Sequence, residues 1–292
     1  MQQLTSGALL DAVRGVHWPA RRVSLGGFQG AHRSRRIGSS PEFTAYRPYQ
    51  QGDDPSKIDW KLFGRTERVA VRLAEDESNL PTTVLVDASA SMAFPVDSMA
   101  KWELASAVAL GLCAVAQAGM DPVGLAVVDA HGARALPPRT RQGTVSNILR
   151  LLLETTPAGS SPLAPALSAL RSSRRIAIVS DFLGDADALL EQVRELVVGG
   201  REIYAVHIVA REEVDPTLAT PVIVDPEDNA LRRPLDTNLL GQYQAAFARW
   251  RESLAAQWRA AGAVYHSATS DEPAERVIRR VASPLAVGDT SA

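Results

Sequence analysis

The feature that most constrains the fold is an alternation, from Pro81 to near the C-terminus, between short β-rich apolar runs and longer helical stretches. The apolar runs that predict buried strands are 82–87, 123–129, 175–181, 202–209 and 264–269. Helices are expected near 98–118, 143–154, 163–171, 185–198, 236–261 and 273–282. Strands that alternate with helices in this way form parallel sheets. We therefore expect an α/β fold, a doubly wound and mostly parallel sheet with helices on both faces.

Two shorter features of the same part predict hairpins. The run ARAL at 133–136 follows the turn at His131–Gly132 and is expected to return along the strand before it. The runs VIVD and LRRPL flank a turn at 226–230, which favours a hairpin on the surface.

The chain is expected to divide at Pro81 into an N-terminal segment, 1–80, and an α/β domain, 81–292. The N-terminal segment is partly β, because 42–47 and 68–76 are both typical of strands. These two runs could pair with each other or extend the main sheet.

The charge balance and the cysteine count exclude several classes of function. Lys and Arg number 31 against 33 Asp and Glu, so no overall field favours nucleic acid or an anionic membrane. The single cysteine, Cys113, excludes an internal disulfide and a cysteine-based zinc cluster. The N-terminus lacks a signal-peptide pattern, and the longest apolar stretch is too short to span a bilayer. We expect a cytoplasmic protein that does not insert into membranes.

Six arginines between residues 14 and 36, with no acidic residue among them, raise the question of nucleic-acid binding. They are Arg14, Arg21, Arg22, Arg33, Arg35 and Arg36. A nucleic-acid surface would also need interleaved aromatic residues and a known binding scaffold, which this stretch lacks. A solvated or acid-paired face is the better interpretation, and no nucleic-acid partner is expected.

The longest predicted helix, from an N-cap at Asp236 to Ala261, carries an aromatic stripe. Its apolar residues, spaced three and four apart, are Leu240, Tyr243, Phe247, Trp250, Leu254, Trp258 and Ala261. The stripe could be a groove for a partner, but ordinary helix amphipathicity favours packing against the sheet.

Oxygen-bearing side chains follow the strands at the positions where a doubly wound sheet binds ligands. Asp87 ends an apolar strand, and Ser89 and Ser91 follow it in the pattern D-x-S-x-S. Asp181 ends another strand, and Ser161 lies in a turn before a helix. A carboxylate with several hydroxyls suits a hard cation such as Mg²⁺. The alternative is that Ser89 or Ser91 only caps the next helix.

With these residues the chain resembles a von Willebrand factor A-type domain, whose metal-ion-dependent adhesion site uses D-x-S-x-S, a later Thr and a later Asp. The resemblance implies one Mg²⁺ or Mn²⁺ ion, held directly by serine hydroxyls, with the later Asp often acting through water. The last coordination position is left for a carboxylate of a partner. The implied metal residues are Asp87, Ser89, Ser91, Ser161 in place of Thr, and Asp181.

The segment from Glu42 to Glu77 resembles the signature of the bacterial domain-of-unknown-function family 58, whose members place it before a von Willebrand factor A-like domain. Arg47, Asp53, Asp54 and Asp59 of this signature could form a catalytic or binding set. We favour a structural interpretation, in which Asp54 caps a short helix that buries Ile58 and Trp60.

These resemblances imply a non-enzymatic, metal-dependent protein-interaction module. The implied partners are a MoxR-type AAA+ ATPase and a protein client that offers Asp or Glu, and the implied role is that of adaptor or co-chaperone in protein maturation or assembly. The alternatives are a scaffold whose metal site is degenerate and unoccupied, and a Mg²⁺-dependent hydrolase. Phosphotransferases of the haloacid dehalogenase type need a second Asp two residues after the first, where this chain has Ser89, so the hydrolase is disfavoured.

Overall fold

The structure is a computed structural model that describes residues 6–21, 43–49, 58–74, 80–184, 186–216, 222–224, 232–234 and 237–283. The chain forms two compact units, one of Met1–Val23 with Leu80–Ala292 and the other of Ser24–Asn79. The expected boundary at Pro81 lies one residue from Leu80, where the chain enters the larger unit for the second time. The difference is at the N-terminus, because Met1–Val23 belongs to the larger unit and not to the segment that follows it.

The strands confirm the predicted order along the chain. They are β1 (Phe43–Pro48), β2 (Ala70–Ala74), β3 (Thr82–Asp87), β4 (Val123–Asp129), β5 (Gly132–Arg139), β6 (Arg175–Ser180), β7 (Glu202–Val209), β8 (Val222–Val224), β9 (Arg232–Pro234) and β10 (Val264–Thr269). The main sheet has the order β10-β7-β6-β3-β4-β5. All its pairings are parallel except that of β5 with β4, which is the hairpin predicted after His131–Gly132.

The described helices include the six that the pattern predicts after Pro81, and two that were not predicted, at 6–12 and 211–214. They are α1 (Ser6–Ala12), α2 (Trp60–Thr66), α3 (Ala100–Ala118), α4 (Thr144–Leu153), α5 (Leu163–Ala169), α6 (Ala186–Val198), α7 (Arg211–Val214), α8 (Thr237–Ala260) and α9 (Ala274–Ala282). None of the helices in the described part of the chain combines the length and the apolar character that a membrane span requires. The proposed N-cap Asp236 lies outside the described residues.

Helices cover both faces of the main sheet, as a doubly wound fold requires. Successive residues of a strand point to opposite faces. In β3, Val84 and Val86 therefore join the core cluster formed with α3, α4 and α9, whereas Leu85 joins the cluster formed with α5, α6 and α8. All of these strand residues are fully buried. Each face of the sheet thus has its own apolar core.

The N-terminal stretch of the larger unit is held at the amino ends of the strands. Leu9, Val13 and Trp18 are buried in the α3 side of the core. Arg175, the first residue of β6, is fully buried and donates to the Pro19 carbonyl at 2.9 Å. These contacts explain why residues 6–21 belong to the larger unit. Of the six arginines near the N-terminus, Arg14 pairs with Asp11 at 3.1 Å.

In the smaller unit, β1 and β2 pair with each other in antiparallel order, which was one of the two predicted arrangements. Asp59 is the N-cap of α2, and its carboxylate accepts from the backbone N–H groups of Lys61 and Leu62. Asp53 and Asp54 lie outside the described residues. The expectation that Trp60 is buried was wrong: its side chain is 62% exposed and packs edge-to-face on Phe63. As the first residue of α2, Trp60 points away from the interior of its unit.

The long helix α8 confirms the core-packing interpretation for its C-terminal half. Leu254, Trp258 and Ala261 are buried in the α5–α6 side of the core, and Trp250 packs against it. Tyr243 and Phe247, nearer the N-terminus of α8, are only half-buried and stack on each other with ring centres 5.7 Å apart.

The direction of chain progression changes at the centre of the main sheet. From β3 the chain continues to β4 on one side, whereas from β6 it continues to β7 on the other side. Because β3 and β6 are parallel neighbours, their carboxyl ends lie side by side at this switch point. Doubly wound sheets bind their ligands at such a point.

Candidate functional site

Asp87 and Asp181 flank the switch point of the main sheet. Asp87 is the last residue of β3, and Asp181 follows the last residue of β6. Both are almost completely buried. Burial, followed by the negative charge of Asp181, raises the pKa of Asp87 above its usual range, although hydrogen bonds from Ser180 and Ser89 oppose the shift. The two predicted carboxylates therefore lie close enough to repel each other.

The loop after β3 is held by hydrogen bonds to Asp87. The Asp87 Oδ1 atom accepts from the Ser89 N–H at 2.9 Å, and Oδ2 accepts from the Ser180 hydroxyl at 2.5 Å. The hydroxyls of Ser89 and Ser91 are 3.1 Å apart. Ser180 was not predicted from the sequence, although a serine directly before the strand-terminal Asp181 was a signal that could have found it.

The alternative that these serines only cap a helix is not what the structure shows. Ser89 precedes a short 3₁₀ turn, Ala90–Ala93, but its side chain makes no capping hydrogen bond. The next α-helix, α3, begins after Met99 and has no side-chain cap. The hydroxyls of Ser89 and Ser91 are bonded to each other instead, beside Asp87.

The loop before α5 brings Ser161 to the same place. The Ala158 N–H donates to the Ala88 carbonyl at 2.9 Å, and the Ala90 N–H donates to the Gly159 carbonyl at 2.8 Å. Gly159 has a left-handed φ of 63°, and a Cβ there would lie 2.5 Å from the Ala130 Cβ, so this close approach requires glycine. The Ser161 Oγ is buried and has no hydrogen-bond partner among the described residues.

A cleft of about 690 Å³ opens beside these residues. Asp87, Ser89 and Ser161 contribute to its lining. The rest of the lining is mixed, with apolar side chains such as Leu163 and Phe182 and polar ones such as Ser168 and Gln192. Three of the five predicted metal residues thus face one cleft, and Ser91 is hydrogen-bonded to one of them.

The fifth predicted residue, Asp181, is engaged by a buried lysine. The Lys101 ammonium donates to Asp181 Oδ2 at 2.6 Å and to Glu213 Oε1 at 2.9 Å. Burial alone would lower the pKa of Lys101, but the two carboxylates more than offset it, so the pKa lies above its usual value. The chain has only three lysines, and one at the start of an apolar helix was a signal that the sequence interpretation missed.

Aromatic side chains fix the backbone around Asp181. Phe182 has a left-handed φ of 54°, and its N–H donates to the Ser180 hydroxyl at 2.9 Å. Its ring packs on Trp258, with ring centres 4.5 Å apart, and on His207. Burial lowers the pKa of His207 to about 3, and its Nδ1 lies 2.5 Å from the Tyr265 hydroxyl. A neutral His207 therefore supports the site as a packing residue.

The donor set determines which metal chemistry the site could perform. In the described ranges, no group of three or more His, Cys, Asp or Glu residues is placed to hold a metal ion. Any ion at the switch point would therefore depend on serine hydroxyls as well as on carboxylates. The unpartnered Ser161 Oγ fits such a role, and oxygen donors of this kind suit Mg²⁺ or Mn²⁺.

Two kinds of known protein are similar to this chain. It is 28% identical, over 94% of its length, to the uncharacterized protein Rv1480 of Mycobacterium tuberculosis (strain ATCC 25618 / H37Rv), of which the match covers 89%. The uncharacterized protein Mb1516 of Mycobacterium bovis matches to the same extent.

Among solved structures, the conserved hypothetical protein BatB from Bacteroides thetaiotaomicron is 16% identical, with a TM-score of 0.45 over 69% of this chain and 96% of that one. An aerotolerance-related membrane protein from Bacteroides fragilis is 15% identical, with a TM-score of 0.45 over 70% of this chain and 98% of that one. A family model described as protein of unknown function DUF58 matches residues 45–253, which is more than half of the chain. The chain therefore belongs to the DUF58 family.

Proposed function

We propose that this protein is a metal-dependent protein-interaction module that binds a partner carboxylate at the carboxyl edge of its main sheet. Asp87, Ser89, Ser91 and Ser161 would hold one Mg²⁺ or Mn²⁺ ion, with Asp181 in support. The observation that carries the proposal is the buried Ser161 Oγ, which has no hydrogen-bond partner among the described residues and belongs to a residue that lines the same cleft as Asp87 and Ser89. A bound ion would supply a position that the carboxylate oxygen of a partner Asp or Glu could occupy.

The residues of the chain prepare the site in two ways. The Ser180 hydroxyl and the Ser89 N–H orient the Asp87 carboxylate, so its oxygens do not have to be ordered when the site is used. Burial and the charge of Asp181 make an ionised Asp87 unfavourable in the metal-free protein, and a divalent cation would offset both effects. The proposed metal ligands are all oxygen atoms, which hard cations prefer, whereas the thiol of Cys113 is buried in the core.

The role proposed is binding and not catalysis. Ser89 stands two residues after Asp87, where a phosphotransferase would need a second carboxylic acid to transfer a proton. The imidazole of His207, which packs near Asp181, is buried against Tyr265 and Phe182. A MoxR-type AAA+ ATPase and an acidic protein client are proposed as partners on the resemblance of the signature segment, as is a role as adaptor or co-chaperone.

A second function, a scaffold with an unoccupied metal site, is favoured by one observation. Lys101 already places a positive charge on Asp181, so part of the charge that would attract an ion is neutralised. In this alternative, partners would bind elsewhere and metal would not affect them.

The experiment that separates the two functions is affinity capture of partners by wild type and by Asp87→Ala, each in Mg²⁺ and in EDTA. The matched control is Asp129→Ala, because Asp129 ends the neighbouring strand β4 outside the hydroxyl cluster. We expect an AAA+ ATPase or a client, identified by mass spectrometry, that is lost in EDTA and with Asp87→Ala and retained with Asp129→Ala. The same partners under all conditions would overturn the metal-dependent function in favour of the scaffold.

A further inference from the structure

We propose that Lys101 sets the metal affinity of this site by holding Asp181 in a buried ion pair and so withholding that carboxylate from a bound ion. The inference rests on the proposed function, and it names a residue that the metal motif does not contain. It predicts a weak metal site, which becomes a tight one when the ammonium is removed.

The ion pair is built into the interior and is not a surface contact. The side chain of Lys101 is 0% exposed and that of Asp181 is 3% exposed, with 2.6 Å between Nζ and Oδ2. Charge-assisted hydrogen bonds this short are among the stronger ones in proteins. Within the described part of the chain, the other oxygen of Asp181 accepts one long bond, from the Leu183 N–H at 3.3 Å. The strongest interaction of the Asp181 carboxylate is therefore the one with the Lys101 ammonium.

Glu213 holds the ammonium from a second side. Its Oε1 lies 2.9 Å from Lys101 Nζ, and its Oε2 accepts from the Ala210 N–H at 2.7 Å. Lys101 thus shares its charge between two carboxylates that come from different parts of the chain. Because both acids have an oxygen on the ammonium, moving Lys101 away from Asp181 would cost the site a buried charge pair.

Lys101 reduces the negative charge that a metal ion at this site would meet. Without Lys101, two carboxylates, Asp87 and Asp181, would face an ion at the serine cluster. With Lys101 in place, one positive charge is shared by Asp181 and Glu213, so the charge of Asp181 is offset in part and its Oδ2 atom is held by the ammonium. Affinity for hard cations depends strongly on the number of charged ligands, so the ammonium and the ion compete for one carboxylate.

The chain offers a matched control at the other end of β6. Arg175 is also a fully buried cation held by two acids, with Glu202 at 3.0 Å and Asp121 at 3.3 Å. It lies at the amino end of the strand, whereas Asp181 follows the carboxyl end. Removing either cation leaves buried acids without their partner, but only Lys101 lies beside the proposed metal residues.

The test measures Mg²⁺ affinity by titration calorimetry for wild type, Lys101→Met, Lys101→Gln and the double variant Lys101→Met/Asp181→Asn. We expect Lys101→Met and Lys101→Gln to bind Mg²⁺ at least tenfold more tightly than wild type. The double variant, which lacks both the ammonium and the released charge, should return to within about threefold of wild type. Equal affinity of wild type and both single variants would overturn the inference while leaving the proposed function intact.

Where a variant is too unstable for calorimetry without metal, its unfolding temperature is measured at increasing Mg²⁺ concentrations. Lys101→Met should gain more unfolding temperature from Mg²⁺ than wild type does, whereas Arg175→Met, whose metal residues are unchanged, should gain no more than wild type. Equal behaviour of these two variants in Mg²⁺ would overturn the inference. If neither wild type nor any Lys101 variant binds Mg²⁺, both the inference and the proposed function fail.

Discussion

The guanidinium of Arg175 lies 4.5 Å from the centre of the Trp18 indole ring, although 157 positions separate the two residues. Arg175 also binds Glu202 and Asp121, and the Glu202 carboxylate accepts from the Arg21 N–H at 2.6 Å. This network explains how the N-terminal stretch is fixed on a sheet that begins at β3. A cation–π contact at a buried site adds to the ion pairs that surround it.

We expect Arg175→Met to lower the free energy of unfolding by about 3–5 kcal/mol, because it leaves the buried Glu202 and the half-buried Asp121 without their cation. Urea denaturation at neutral pH would measure the change. The control is Arg211→Met, since Arg211 is 58% exposed and its ion pairs are screened by water. Arg211→Met should lower the free energy of unfolding by less than about 1 kcal/mol. Equal losses in the two variants would show that the buried network stabilises no more than a surface pair.

Ser161→Ala should lower Mg²⁺ affinity about tenfold or more, since it removes one of the few uncommitted oxygens of the proposed site. Without metal, the same change should alter the free energy of unfolding by less than about 1 kcal/mol, because the Oγ makes no hydrogen bond to the residues that the structure describes. Ser161→Thr restores the hydroxyl and should keep wild-type affinity. Ser168→Ala is the control, because Ser168 lines the same cleft but its hydroxyl bonds to Gln192. Unchanged Mg²⁺ binding by Ser161→Ala would remove Ser161 from the metal site.

Much of the fold, but only part of the site, could be predicted from the sequence. Strands buried on both faces are continuous apolar runs, so Thr82–Asp87 and Arg175–Ser180 are visible without a structure. A motif such as D-x-S-x-S is local, and its residues keep their spacing after folding. Lys101 and Asp181 are 80 positions apart, and nothing in a local pattern indicates that two such residues meet. The exposure of Trp60 was missed for a related reason, since side-chain burial depends on tertiary packing.

Acid should destabilise the protein through His207. Burial lowers its pKa to about 3 in the folded state, whereas an unfolded histidine titrates near 6.5. The unfolded chain therefore binds one proton more between these values, and stability present above pH 6.5 is lost as the pH falls toward 3. Protonation of this residue in the unfolded chain should lower the free energy of unfolding by roughly 2 kcal/mol between pH 7 and pH 5. Urea denaturation of wild type and His207→Gln at both pH values would measure the difference.

The expected result is a smaller loss of stability between pH 7 and pH 5 in His207→Gln than in wild type. His131→Gln is the control, because the side chain of His131 is 94% exposed and gains no burial on folding. It should keep the pH dependence of wild type. The same loss in all three proteins would show that His207 is not what makes the fold sensitive to acid.

The two halves of α8 should respond differently to truncation of their aromatic residues. Trp258 is fully buried against Phe182, so Trp258→Ala should lower the free energy of unfolding by about 3–5 kcal/mol. Phe247 is half-buried and belongs to a stack with Tyr243 and Trp250, and Phe247→Ala should cost less than half as much. Denaturant unfolding of both variants gives the comparison. Similar losses of stability in the two variants would mean that the whole apolar stripe of α8 belongs to the core. A large loss for Trp258→Ala alone would mean that only the C-terminal half of α8 packs in the core and that the N-terminal half keeps an apolar surface.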